Sequence, residues 1–288
     1  MVVASVNGLP YLADCLAALE QHAPEAEVVV ADWTNEPTRE LVRQRWPRVK
    51  LLSFDAPTTV PELRAAGIFA ATAPNIAVIE DHCDVLPSWA PGIVAAHASG
   101  HSVVGGPIRN VRTRRSRDWA AFFCEYSTFM EPVDGGVADG LPGMNVSYDR
   151  DAIAAIEDLL KEGHWESWLH PRLQARGFEL WCDPVIVLEH AKDFGFFEFV
   201  SQRYHYSRSY AGRRNAQLGW KRVLYALGSP LLVPLAYTRM ARNVQNRQAY
   251  RRAFRRATPL ILVYTVVWSF GEAIGYVFGG GRSILKVR

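Results

Sequence analysis

Short apolar runs alternate with stretches of helical spacing along the first part of the chain. Strand-length apolar runs fall at residues 1–6, Glu27–Ala31, Val49–Phe54 and Ile76–Ile79. Between them, apolar residues recur every three or four positions, as in amphipathic helices, and these predicted helices begin at Tyr11, Thr38 and Pro61. This β-α-β-α-β-α-β order predicts an α/β fold with a parallel, doubly wound sheet.

The alternation continues less regularly to about residue 190. Further helices are predicted at Trp89–His97, Asp118–Met130, Arg150–Leu160 and Trp165–Ala175. Further strands are predicted at Val103–Val104, at a run ending in Tyr148, at Phe178–Cys182 and at Val185–Leu188, with His190 just after the last. The basic stretch Arg109–Arg117 and the Gly-rich stretch Asp134–Asp139 are predicted loops.

Two hydrophobic segments, Val223–Tyr237 and Pro259–Phe278, follow a basic aromatic connector at 196–222. A membrane-spanning helix needs about 20 apolar residues, but the first segment is shorter and the second contains Glu272. If both spanned, the arginine-rich loop predicted at Arg239–Arg256 would face away from the cytosol, against the positive-inside tendency. We therefore predict that 223–288 forms in-plane or re-entrant helices on the membrane. A soluble helical hairpin and a two-pass hairpin are the alternatives.

The distribution of charge indicates an anionic partner. The net charge is only +3, but no acidic residue stands between Glu198 and Glu272, an interval rich in arginine. Because apolar segments interleave with the arginines, an anionic membrane surface is favoured over nucleic acid. The four cysteines are scattered and no signal peptide precedes the first strand, which predicts reduced thiols and a location at the cytoplasmic face of the cell membrane.

Candidate chemistry lies where predicted strands end. Glu80, Asp81 and His82 directly follow the buried run Ile76–Ile79, and Asp32 ends the second strand. Open α/β sheets bind ligands beyond the carboxyl ends of their strands, so a ligand or a metal is expected at this edge. A solvated turn at 80–82 and a turn or helix-capping Asp32 are the alternatives.

Four blocks in order resemble the family 2 glycosyltransferases of the GT-A fold. They are Val3–Gly8 with Tyr11 and Leu12, Val29–Thr34, Ile79–His82 with Pro87, and Trp165–Leu169 with Arg172, Leu173 and Gly177. The resemblance covers roughly residues 1–195. It implies a Rossmann-like, mostly parallel sheet flanked by helices, here with a C-terminal hydrophobic helical region.

The resemblance also implies a site for a nucleoside diphosphate sugar. The donor-binding residues it implies are Ala4, Ser5, Asn7, Asp32, Arg64, Glu80 and Asp81. In the family, the acidic motif binds a divalent cation, for which Glu80, His82 and His190 are the candidate ligands here. The motif usually ends in Asp; with His82 at that position, manganese is favoured over magnesium.

Glu166 is the candidate general base, since it falls at the second acid of the family's catalytic pair and Trp165 replaces the first. An inverting transfer needs a carboxylate to take the proton of the acceptor hydroxyl. Gly143, Asn145, Trp165 and Trp168 are the candidate acceptor-binding residues. Alternatively, Glu166 is only a favourable charge at a helix start.

The resemblance implies an inverting glycosyltransferase, and the apolar C-terminal segments favour a lipid-linked or cell-envelope glycan acceptor at the cytosolic membrane face. A catalytically degenerate transferase that acts as a membrane scaffold or binding subunit is the alternative, supported by His82, Trp165 and Ala31. A nucleotidyltransferase is disfavoured, because no Gly-rich loop with a lysine follows the first strand. The oligomeric state, including a homo-oligomer, stays open.

Overall fold

A computed structural model describes residues 1–287, apart from the side chain of residue 216. The chain divides into two compact units. The first comprises Met1–Val111 and Phe129–Lys192, and the second comprises Arg112–Thr128 and the chain from Asp193 onward. The predicted catalytic domain, 1–195, therefore differs from the first unit by the internal segment 112–128 and by residues 193–195. Residue 288, the last of the predicted membrane-associating region, lies outside the described residues.

The elements follow the predicted order closely in the first half of the chain. The strands are β1 Val2–Ser5, β2 Val29–Asp32, β3 Lys50–Ser53, β4 Asn75–Glu80, β5 Cys83–Val85, β6 Val103–Gly105, β7 Ile108–Asn110, β8 Gly136–Val137, β9 Val146–Asp149, β10 Leu180–Cys182 and β11 Leu188–His190. The helices are α1 Tyr11–His22, α2 Glu36–Arg45, α3 Val60–Ala70, α4 Trp89–Ala98, α5 Ser116–Tyr126, α6 Arg150–Ala155, α7 Glu157–Lys161, α8 Glu166–Ala175, α9 Phe196–Leu218, α10 Lys221–Gly228, α11 Leu232–Gln245 and α12 Gln248–Phe278.

The main sheet of the first unit has the strand order β3-β2-β1-β4-β9-β6-β10-β8. Strands β3, β2, β1 and β4 are parallel, as predicted. Strand β9 runs antiparallel to both β4 and β6, and β8 runs antiparallel to β10, so the sheet is mixed. The α/β fold with helices flanking a mostly parallel sheet is confirmed, since β6 and β10 also pair in parallel. Strands β8 and β9 are the antiparallel exceptions.

A small second sheet has the order β5-β11-β7 and corrects two predictions. Residues 108–110, which include the first two residues of the predicted basic loop, form β7, which pairs with β11. His190 lies within β11 and not after the last strand, and it pairs opposite Cys83 of β5. The pairing brings His190 beside the residues that follow β4.

Local chemistry explains how α2 and α3 begin. The Asn35 side chain caps α2 by accepting from Thr38 N at 3.1 Å. At the start of α3, Thr59 and Glu62 form a reciprocal capping box. Helix α3 lies close on β1, because a Cβ at Gly67 would stand 2.2 Å from Val2 Cγ1. This close packing carries Arg64 to the carboxyl ends of β1 and β4.

The second unit is helical and consists of α5 and α9–α12 with two short 3-10 turns. The prediction of a loop at Arg239–Arg256 is wrong, because α11 continues to Gln245 and α12 begins at Gln248. Arg, Ala and Gln are favourable helix formers, and this stretch contains neither Gly nor Pro, so repulsion between the arginines does not prevent helix formation.

Helices α9 and α12 approach closely through glycine. A Cβ at Gly275 would stand 2.5 Å from the Arg208 carbonyl oxygen, so no larger residue fits there without a shift. Helix α5 contacts α12 through aromatic rings, with 5.2 Å between the centroids of Phe123 and Phe254. Among the described residues, α12 alone is long and apolar enough to cross a membrane, and 44% of its most apolar window is buried within the protein.

Candidate active site

The carboxylate of Asp81 ties the end of β4 to the loop after β1. Its Oδ2 atom accepts from the backbone N–H groups of Val6, Asn7 and Gly8 at 3.0, 2.7 and 3.0 Å and from Ser5 Oγ at 3.2 Å. Its Oδ1 atom accepts from Asn7 Nδ2 at 2.7 Å. Burial opposes ionisation, but hydrogen bonds and charge from His82 and the Asn7 donors lower the pKa of Asp81. Asp81 thus holds the β1–α1 loop in place.

Glu80 and His82 flank Asp81 and converge with each other. His82 Nε2 lies 3.4 Å from Glu80 Oε2, and His82 Nδ1 lies 3.3 Å from Asp81 Oδ1. The ring of His190 meets the ring of His82 edge-on, with 4.9 Å between centroids. Among the residues that the structure describes, no group of three His, Cys, Asp or Glu side chains is spaced to hold a metal ion. The donor types present, imidazole and carboxylate, suit manganese better than magnesium.

Arg64 joins the two predicted halves of the site. Its Nη2 donates to Glu80 Oε1, and its Nη1 donates to Glu166 Oε1 at 2.5 Å. The guanidinium is 5% exposed and also lies over the ring of Trp165, with 5.4 Å from Cζ to the centroid. Burial opposes the charge, but Glu166 and Glu80 outweigh it and raise the pKa of Arg64. The acid-rich strand end and the candidate base therefore belong to one cluster.

Gly143 packs directly against this ion pair. A Cβ at position 143 would stand 2.2 Å from Glu166 Oε2 and 2.7 Å from Arg64 Nη1. The absence of a side chain allows the loop before β9 to approach the two charged groups. Gly143 thus lies at the predicted site because a larger residue would clash with Glu166 and Arg64, which the neighbouring residues in the sequence do not indicate.

Other predicted residues serve inside the protein. Asn145 is 0% exposed; its Oδ1 accepts from Trp89 Nε1 at 2.8 Å, and its Nδ2 donates to the carbonyls of Pro107 and Ile186. Because these internal hydrogen bonds occupy the buried side-chain amide, Asn145 does not present it to an acceptor, which corrects the expectation. Ala4 is buried in β1 and contributes its carbonyl oxygen to Asp81 N at 3.1 Å. Trp168 is half-buried beside His164.

Arg39, which the sequence analysis did not name, contacts the predicted donor-binding residue Asp32. Its Nε donates to Asp32 Oδ2 at 2.9 Å, and its Nη1 donates to Asp55 Oδ1 at 2.7 Å. Asp32 is fully buried and also accepts from the Thr34 hydroxyl and backbone N–H. The sequence signal that could have identified Arg39 was the cap at Asn35. This cap sets the start of α2, so Arg39 lies one turn later, beside the end of β2.

His170 is a second residue that the sequence did not single out. Its Nε2 lies 3.3 Å from the hydroxyl of Tyr148 on β9, and its Nδ1 lies 3.5 Å from Leu141 N. Burial lowers the pKa of His170 to about 4, partly opposed by the charge of Glu166. The neutral ring anchors α8, which carries Glu166, to β9 and to the loop that holds Gly143.

Comparison with protein families matches residues 1–155 to Glycosyl transferase family 2. This match covers more than half of the 288 residues. The chain belongs to this family. Glu166 and His190 lie beyond the matched residues, so their roles stay predictions. A comparison with curated proteins gave no match.

Solved structures share the fold at low sequence identity. Mannosyltransferase PcManGT from Pyrobaculum calidifontis, in complex with GDP-Man and Mn2+, is 14% identical, with 96% of this chain and 86% of that chain covered and a TM-score of 0.59. S. aureus TarS 1-349 is 12% identical, with 95% and 90% covered and a TM-score of 0.51.

GalNAc-T7 with UDP, GalNAc and Mn2+ is 14% identical, with 67% of this chain covered and a TM-score of 0.52. This family 2 chain spans less than half of the GalNAc-T7 chain, 43% of its length. All three likenesses concern the fold.

Proposed function

We propose that this family 2 protein is an inverting glycosyltransferase that uses a nucleoside diphosphate sugar. The observation that carries the proposal is the Arg64 bridge, which holds Glu80 after β4 and Glu166 at the start of α8 in one ion-paired cluster. An inverting transfer needs a leaving-group site and a base on opposite sides of one sugar. A common arginine keeps two such carboxylates at a fixed separation.

Glu166 acts as the base in this proposal. It lies at the first position of α8 and accepts a hydrogen bond from Arg64 Nη1. Because the acceptor hydroxyl loses its proton as it attacks, Glu166 takes that proton at the Oε2 atom, which faces Gly143. Arg64 positions Glu166 and is itself held by burial and by Glu80.

The donor phosphates bind at the edge formed by the β1–α1 loop and the end of β4. Asp81 holds that loop, and Asp32 with Arg39 lies at the end of β2, next to β1 in the sheet. Glu80, His82 and His190 would hold a manganese ion, which when bound neutralises charge on the leaving diphosphate. PcManGT and GalNAc-T7, which share the fold, are described with Mn2+.

The acceptor in this proposal is a lipid-linked or cell-envelope glycan, and the protein works at the cytosolic face of the membrane. The support lies in the second unit, where α10, α11 and their connection expose apolar side chains: Val223, Leu224, Leu227, Leu231 and Leu235 are all more than half exposed. Helix α12 adds a long apolar segment. Exposed apolar residues beside many arginines are typical of helices that lie in the interface of an anionic membrane.

Glu166→Gln tests the proposal directly. We expect kcat to fall by about 10²–10⁴-fold, because the base is lost, while donor binding measured by calorimetry stays within a few-fold. Glu179→Gln, an exposed glutamate of the same unit, is the matched control and should leave both unchanged. Loss of donor binding in Glu166→Gln would contradict the assigned role.

A degenerate transferase that serves as a membrane-bound binding subunit is the second candidate. One observation favours it: Arg64 engages both Glu80 and Glu166, and Arg39 engages Asp32, so internal partners occupy three predicted site acids. Hydrolysis of the donor by the purified protein with manganese separates the candidates. Turnover that disappears in Glu166→Gln supports the enzyme, and absence of turnover with intact donor binding supports the binding subunit.

A further inference from the structure

A cavity between α11 and α12 in the second unit combines guanidinium groups with an apolar wall. It has a volume of about 620 Å³, and its lining includes Arg242, Arg251, Arg255, Thr238, Gln245 and Phe254. The side chains from α11 recur at positions 238, 242 and 245, and those from α12 at 251, 254 and 255, so each set lies on one face of its helix.

The positive charge of this cavity is not neutralised by the chain around it. No described lining residue is acidic, and no acid stands between Glu198 and Glu272 in the sequence. Arg251 donates through Nε and Nη2 to the carbonyl of Gln245, which fixes it at the cavity wall. Arg242 and Arg255 are exposed and, among the described residues, make no ion pair. Three like charges on two adjacent helices repel each other, and an anion between them would relieve that repulsion.

The chemistry of the lining selects a phosphate group. Guanidinium groups match phosphate oxygens with paired N–H donors, and the Gln245 side-chain amide adds a neutral donor. The same two helices expose Leu235, close before Thr238, and Leu262, two turns after Arg255, at 53% and 39%. An apolar surface that continues from an arginine cavity fits a phosphate bonded to a hydrocarbon chain.

We propose that the cavity formed by Arg242, Arg251 and Arg255 binds the phosphate headgroup of an anionic membrane lipid. This inference rests on the membrane association in the proposed function and sharpens it, because it replaces a diffuse attraction between arginines and the membrane with one built site. The site lies wholly within the second unit and takes no part in the chemistry assigned to Glu166.

Two double variants that remove the same charge distinguish binding at the cavity from general electrostatic attraction to the membrane surface. Arg242→Gln with Arg255→Gln empties the cavity of two guanidiniums, whereas Arg239→Gln with Arg256→Gln removes two exposed arginines of the same helices that do not line it. Binding is measured by co-sedimentation with phosphatidylcholine vesicles that contain phosphatidic acid. We expect the cavity pair to lose about tenfold more affinity than the control pair, because direct hydrogen bonds to phosphate are lost in addition to surface attraction.

Equal losses in the two pairs would overturn the proposal, as would equal wild-type binding to vesicles of phosphatidylcholine alone. Inorganic pyrophosphate is the competitor: it should weaken vesicle binding by the wild type more than by the cavity pair, because it competes for the same guanidinium groups, and an equal effect on both proteins would overturn the proposal. Thermal unfolding of both pairs checks that they fold. Donor hydrolysis in the absence of vesicles reports on the proposed enzyme alone, so failure of that function is visible independently of vesicle binding.

Discussion

At the scale of single residues, Arg64 decides the geometry of the site. It lies on α3, between the acids after β4 and the glutamate that begins α8, and it contacts one oxygen of each. The second oxygen of Glu166 is the atom nearest to a side chain added at Gly143. Any change that moves Glu166 away from Arg64 should therefore reduce transfer before it reduces stability.

Gly143→Ala tests this coupling with a single methyl group. Its Cβ would stand 2.2 Å from Glu166 Oε2, and the backbone at 143 does not require glycine, so the methyl group must displace the carboxylate. We expect kcat to fall about tenfold or more, with a loss in the free energy of unfolding of about 1–3 kcal/mol from overpacking. Transfer assays and urea unfolding measure the two quantities.

Gly140→Ala is the matched control, since a Cβ there meets nothing within 4 Å. It should leave both kcat and the free energy of unfolding unchanged within about 0.5 kcal/mol. A Gly143→Ala protein with full activity would show that the position of Glu166 does not limit the reaction.

The sequence named individual candidate residues but not the contacts between them. Glu80 was named from its position after a predicted strand, Arg64 and Glu166 were named from the family resemblance, and the structure places the three in one ion-paired cluster. The pairing itself depends on how α3 and α8 pack, which no local pattern encodes. Asn145 was named as an acceptor-binding residue but is buried, because the sequence around a loop asparagine does not show whether its side chain is exposed.

At the scale of elements, α8 is held to the sheet through a neutral imidazole. His170 sits between Tyr148 of β9 and the backbone of Leu141. Burial lowers the pKa of its imidazole from 6.5 to about 4, so the folded protein resists protonation that the unfolded chain accepts. The folded state should lose stability as the pH falls from about 6.5 to about 4 and lose no more from this group below that range.

The expected loss from His170 is about 3 kcal/mol, since each unit of pKa corresponds to about 1.4 kcal/mol. Urea unfolding at pH 7 and near pH 4 measures it in the wild type and in His170→Gln. The variant should be less stable than the wild type at pH 7 and should lose less on acidification. His22→Gln, on α1, should retain the slope of the wild type. An identical slope in His170→Gln would show that other groups cause the acid sensitivity.

Strand and helix positions were predicted well in the β1–β4 half, where apolar runs and helical periodicity alternate cleanly. The direction of β9 was not predictable, because it is set by a long loop that returns the chain between β4 and β6. The arginine-rich stretch was mistaken for a loop, since composition suggested a polar linker while helix propensity favoured continuing α11 and α12.

At the scale of the whole molecule, the exposed apolar side chains of α10 and the turn after it are the direct test of membrane association. Leu224, Leu227 and Leu231 are 56%, 74% and 72% exposed, so glutamine at these positions costs little packing. We expect the triple glutamine variant to sediment with vesicles at least tenfold less than the wild type, since each buried leucine contributes about 1.5–3 kcal/mol.

Val94→Gln with Val137→Gln provides the control, because these exposed valines belong to the first unit, at 65% and 63% exposure. This pair should sediment as the wild type does. If the triple leucine variant also sediments unchanged, the C-terminal helices are not the membrane contact. Point substitutions are preferable to deleting the region, because α12 packs against α9 and α5.

The composition of the second unit has a consequence for synthesis. Helix α5 emerges from the ribosome early, but its aromatic face meets Tyr250 and Phe254, which are translated much later. The nascent chain must therefore carry Trp119 and Phe123 without these partners while the rest of the sheet and α9 are being made. Shortened chains that end before α12 keep that aromatic surface exposed. Aggregation of such fragments therefore reflects the missing partner helix and not misfolding of the first unit.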